Sequence, residues 1–181
     1  MDVNTVDKEE GLRLLVAITC YGTRNVDMLR HLIAQYHAMT FDVDVVVLSN
    51  VPRDLGPRVR VIVGMPSSDP WSLPFAHKAV LADNVFDYDL FAYSEDDMGV
   101  SEENIRAFLK LSPLLAANEI AGFLRYEIDE AGTVSLPDVH GGYHWKPDSV
   151  RKRGPYTVAE FTNEHAAFYL LTQKQLAGMI D

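Results

Sequence analysis

Three consecutive acids, Glu95-Asp96-Asp97, follow directly on the apolar and aromatic stretch Leu90-Phe91-Ala92-Tyr93. That stretch has the composition of a short buried strand. Open α/β sheets bind their ligands at the carboxyl ends of strands, where these acids would emerge. Two carboxylates about 4 Å apart repel by roughly 4 kcal/mol at an effective dielectric near 20. Unless solvent separates them they need a cation, and oxygen donors suit Mg²⁺ or Mn²⁺. A metal-dependent site is the sharper interpretation, and a solvated acidic turn is the simpler one.

The elements that must position these acids follow from the hydrophobic pattern. Leu12–Thr19 is a nearly continuous apolar run and reads as a buried parallel strand. Cys20–Arg24 is a turn, and Asn25 suits the N-cap of a helix whose Val26, Leu29, Ile33 and Tyr36 recur at helical spacing. Val43–Leu48 and Val59–Val63 are further strands, and a helix is expected from about Phe75 to Val85. After the acidic strand, Ser101 reads as an N-cap with Glu102 and Glu103 in the first turn, and Pro113 ends or kinks that helix. Beyond Ala121, Gly122–Ile128 and Thr133–Leu136 read as a hairpin, Thr157–Phe161 and Ala166–Leu171 as short strands, and Thr172 onward as a closing helix. The alternation predicts an α/β fold: a single Rossmann-like domain over 1–181 with a mostly parallel central sheet flanked by helices. About 12–110 form a nucleotide-binding half, and about 111–181 a more irregular acceptor-side half. The closing Leu176–Asp181 run suits either a complete domain or one truncated at its C-terminus.

Composition narrows the function classes. The 181 residues are 48% hydrophobic and 23% charged, as in ordinary globular proteins. A formal net charge of -10 argues against a nucleic-acid partner, because phosphate contacts need clustered Lys and Arg. The basic run Arg151-Lys152-Arg153 stands beside Gly154-Pro155 and reads as a loop with at most a phosphate contact. The single cysteine, Cys20, allows no internal disulfide. No signal peptide or membrane span is evident, so a cytoplasmic, reducing location is expected. Cys20 follows a buried strand with only Arg24 as a local base, which disfavours a nucleophilic role.

Taken together, the opening strand Val16-Ala17-Ile18-Thr19, the Trp71–Asn84 segment carrying His77-Lys78, and Phe91–Asp97 resemble glycosyltransferases of the GT-A fold. Glu95-Asp96-Asp97 resembles a variant of that family's Asp-any-Asp signature, with Glu in place of the commoner first Asp. The resemblance implies transfer of a sugar from a UDP- or GDP-linked donor to a carbohydrate or other hydroxyl acceptor, with Mn²⁺ or Mg²⁺ as cofactor. It implies Asp97 as metal ligand and catalytic residue, Glu95 as donor contact and further ligand, and Asp96 as a donor contact. The loop after the first strand would hold base and ribose through Thr19, Tyr21 and Arg24, with Asn50 a further candidate by position. Lys78 would neutralise the diphosphate, while its neighbour His77, about 100° away on a helix, caps or packs against the sheet.

Downstream histidines sometimes join the metal in similar enzymes, and His144 or His165 would fill that place here, ahead of His140. Tyr143 and Trp145 offer flat apolar faces to an acceptor sugar. An inverting transferase needs a general base, for which Glu164 stands first and Glu127 or Asp138 behind it. Two alternatives stay open. One is a non-catalytic nucleotide- or glycan-binding module on a degenerate transferase fold. The other is a metal-dependent nucleotidyl or phosphoryl transferase, which the Gly-poor loop Cys20–Arg24 disfavours.

Overall fold

Every residue from Leu14 to Cys20 is buried, as expected of a parallel strand covered on both faces. In the computed structural model, which describes residues 11–163 and 167–180, this run lies in β1 (Arg13–Cys20), followed by α1 (Val26–His37), β2 (Asp42–Ser49) and β3 (Val59–Val63). A 3₁₀ helix over Pro70–Ala76 runs into α2 (His77–Asp83), then come β4 (Leu90–Glu95) and α3 (Glu102–Leu111). The helix expected from Phe75 thus begins earlier, as a 3₁₀ turn. Asp69 caps it by accepting from the Trp71 N–H, and Pro70 fills the first turn.

The chain divides into two compact units, Met1–Arg106 with Ala167–Asp181, and Ala107–Ala166. The first carries a five-stranded sheet in the order β3-β2-β1-β4-β9, where β9 is Phe168–Thr172. The first four strands are parallel, and β9 closes the β4 edge antiparallel. An α/β domain with a mostly parallel central sheet is therefore what the chain forms. On one face Leu15, Ala17, Val46, Leu48, Phe91 and Leu171 pack with Leu73, Leu81 of α2 and Leu176 of α5 (Gln173–Ile180). On the other, α1 packs against β2 and buries Leu29, Leu32, Ile33 and Tyr36. Each large apolar side chain buried this way contributes about 1.5–3 kcal/mol relative to exposure. Phe91, fully buried, thereby fixes where the end of β4 delivers its acids.

The second unit is built from short pieces: a 3₁₀ turn over Ser112–Leu114, the hairpin β5 (Glu127–Ile128) and β6 (Val134–Ser135), α4 (Pro137–His140), and the hairpin β7 (Arg151–Arg153) and β8 (Tyr156–Val158). Two expectations are corrected here. The strand expected over Gly122–Ile128 shortens to its last two residues. The basic run expected as a loop is β7, and its alternation puts Arg151 and Arg153 on one side. Both guanidinium groups converge on Glu119, with Arg151 Nε and Arg153 Nη2 each 2.9 Å from Oε1, and Glu119 Oε2 also accepts the Ala116 N–H. These charges serve the unit's own structure.

Candidate functional site

The strand order reverses at β1. The chain steps outward from β1 to β2 and β3, then crosses to β4 on the other side of β1. Such a reversal opens a crevice at the carboxyl ends of the two strands that flank it. Thr19 and Glu95 are register partners at that end of the sheet. The loop after β1 and the turn after β4 therefore start side by side.

The three acids do not form one cluster. Glu95 ends β4 on the same side as Tyr93 and Thr19, whose hydroxyls lie 3.3 Å apart. Burial, with the Glu95 carboxylate beside it, pushes the Tyr93 phenol up to about 12. Asp96 turns toward Cys20 and is 8% exposed. Its Oδ1 accepts from Asn25 Nδ2 at 2.9 Å. Asp97 is exposed. Divergence and an amide donor thus relieve much of the repulsion that adjacent carboxylates would suffer. The expected side-chain cap at Asn25 is accordingly corrected: Asn25 occupies the N-cap position of α1, but its side chain makes no capping bond, and its Nδ2 donates to Asp96.

The β1 loop is held from the end of β2. Gly22, at φ +65, donates its N–H to Asn50 Oδ1 at 2.7 Å, and its carbonyl accepts from the Arg53 guanidinium. Arg53 Nε also donates to Ser49 Oγ at 2.9 Å. Asn50, a candidate donor contact by position, thus holds the loop's backbone. Arg53 was not anticipated from sequence, since nothing in the Pro52–Pro57 loop marks its partner 31 residues earlier. Tyr21 is 53% exposed and Arg24 is exposed, while Thr19 is buried. Cys20 is buried, and burial with the neighbouring Asp96 raises its thiol to about 12, which leaves it unreactive at neutral pH.

His77 is buried against the sheet, with its ring centroid 4.2 Å from that of Tyr93 and 5.5 Å from that of Tyr169. Its Nδ1 bonds the Pro74 carbonyl and its Nε2 bonds Tyr169 Oη. A carbonyl only accepts, so Nδ1 carries the proton and the neutral ring accepts the Tyr169 hydroxyl at Nε2. Burial lowers the His77 pKa in keeping with that neutral form. Lys78 points away, exposed, with Nζ 5.1 Å from the Phe75 ring centroid.

The remaining candidates belong to the second unit. Tyr143 and Trp145 are 42% and 47% exposed and flank Phe161, with ring centroids 6.4 and 4.7 Å away. His144 is exposed, and its backbone N–H donates to Thr162 Oγ1 at 2.9 Å. Asp138 accepts from Asn163 Nδ2 at 3.0 Å, and Glu127 is exposed. Glu164 and His165 lie outside the described residues.

Among the described residues, no group of three or more His, Cys, Asp or Glu side chains is arranged to hold a metal ion. The exposed Asp97 and half-buried Glu95 suit a cation of the Mg²⁺ type, which keeps waters and takes one or two carboxylates together with substrate phosphates. They do not suit a resident ion in an all-protein cage. No helix among the described residues is long and apolar enough to cross a membrane.

No protein-family model matches the sequence, and no curated protein matches it. Among solved structures, the chain is similar to 4-diphosphocytidyl-2C-methyl-D-erythritol synthase from Anaerococcus prevotii DSM 20548. The identity is 10% and the TM-score 0.41, over 93% of this chain and 75% of that one. At that score the likeness assigns no activity.

Proposed function

We propose that this protein is a metal-dependent transferase that takes a sugar from a nucleoside-diphosphate donor and passes it to a hydroxyl acceptor. One observation carries the reading: an acidic turn leaves β4 at the strand-order reversal, beside a β1 loop whose backbone is pinned on both sides of Gly22. In this reading the β1 loop receives the nucleoside, with Tyr21 stacking on the base and Arg24 and Thr19 near the ribose. Asp97 and Glu95 would hold a Mg²⁺ or Mn²⁺ beside the diphosphate, and Asp96, tied to Asn25, keeps the turn in place. Such an ion would act as a Lewis acid, neutralising charge on the departing diphosphate. Lys78 adds a positive charge on the same side of the sheet as His77. Tyr143 and Trp145 offer stacking faces to a carbohydrate acceptor.

The test is thermal unfolding of wild type and Asp97→Ala with UDP, GDP and the corresponding triphosphates, with and without Mn²⁺. A ligand at one hundred times its dissociation constant stabilises by about 2.7 kcal/mol. The expected result is a Mn²⁺-dependent shift with one diphosphate that Asp97→Ala abolishes. A shift with triphosphates alone would favour nucleotidyl transfer. No shift with any nucleotide overturns the proposal.

A further inference from the structure

At the amino-terminal edge of the sheet, the opposite end of the strands from the acidic turn, the starts of β2 and β3 and the end of α2 line a cavity of about 380 Å³. That volume falls within the range of small-molecule sites. Asp44 is the one acid among its lining residues, and its charge is already spent. It accepts the Tyr88 hydroxyl at 2.7 Å and lies 3.6 Å from Arg13 Nη2, whose guanidinium covers the Tyr88 ring at 4.5 Å. The two cations that line the cavity are in the opposite condition. Arg58, in the turn before β3, and Arg60, in β3, are both exposed and line the same cavity. Neither has a hydrogen bond or ion pair among the described residues. Asn84 adds an acceptor, because its Nδ2 donates to the Val80 carbonyl at 2.7 Å and leaves Oδ1 for a ligand.

A chain with 26 acids and 16 Lys and Arg has abundant partners for its arginines, yet these two stand unpaired at a cavity. Guanidinium groups bind phosphate and carboxylate through paired N–H donors. We infer that this cavity binds a small hydroxylated oxyanion, its phosphate or carboxylate between Arg58 and Arg60 and a hydroxyl donating to Asn84 Oδ1. The site is separate from the acidic turn and independent of the transferase reading.

The experiment is an amide-shift titration of the ¹⁵N-labelled full chain at constant ionic strength with glycerol 3-phosphate, glycerate and, as a neutral counterpart, glycerol. Saturable shifts at Val59, Arg60, Asn84 and Tyr88 are expected with at least one oxyanion and not with glycerol, and the tighter of the two identifies the recognised group. Arg58→Ala/Arg60→Ala should weaken binding about tenfold or more, and Arg58→Gln/Arg60→Gln repeats the test with less loss of side chain. Asp97→Ala should leave the titration unchanged. Absence of saturation with both oxyanions, an equal response to glycerol, or undiminished binding in the arginine variants overturns the inference.

Discussion

Tyr169 reaches His77 from β9, and its hydroxyl donates to the ring nitrogen that the Pro74 carbonyl leaves unprotonated. Removing it leaves Nε2 without a donor in an apolar setting, a loss of about 1–3 kcal/mol. Tyr169→Phe should therefore lower the unfolding free energy by that amount in urea titrations, with no change of fold. The sign with pH follows from the lowered His77 pKa. Stability from the neutral ring is complete above the ordinary value of 6.5 and is lost as pH falls through the folded value. His77→Gln should flatten that dependence. The sequence disclosed the neighbouring pair His77-Lys78 and, by helical geometry, that both could not face the sheet. It did not disclose Tyr169, because a hydrogen bond between residues 92 positions apart leaves no local pattern. Asn25 carries the same lesson in reverse. Its residue type fits a cap, yet its side chain makes no capping bond and its amide donates to Asp96, just past β4.

The β1 loop is the element on which the candidate site depends, and its geometry turns on Gly22. Open space surrounds the position where a Cβ would stand, so a side chain there meets only backbone strain at φ +65. Gly22→Ala should cost about 1–2 kcal/mol, measured by chemical unfolding. An unchanged midpoint would show that the loop is not held in this conformation. Strands β1 and β2 were legible to within a residue or so at each end, because strands buried on both faces are apolar over their buried length. The acid-bearing end of β4 was legible for the same reason. The edge strand β3 was legible from its β-branched residues although it is largely exposed. In the second unit, short hairpins and an ion cluster replace continuous burial, so periodicity had little to report there.

At the level of the whole molecule, the two units rest on different physics. The first holds its sheet by apolar burial. The second gathers Arg151 and Arg153 on Glu119, which holds that carboxyl down from 4.5 to about 2. A depressed acid contributes stability that is complete above its ordinary value and lost as pH falls through the folded one. Unfolding midpoints followed between pH 5 and 2 should therefore fall for wild type, and Glu119→Gln should remove that part of the slope. The order of elements along the chain has a further consequence, for synthesis. β4 is paired with β1 on one side, but its other edge waits for β9, and the register joins Leu90 to Thr172. Roughly 80 residues, including the whole second unit, must leave the ribosome first, which takes about 4–16 s at 5–20 residues per second. Throughout that interval an apolar strand edge, Leu90–Tyr93, stands open to any passing strand. A nascent chain stalled just before Phe168 should be bound by chaperones that a chain extended past Thr172 escapes.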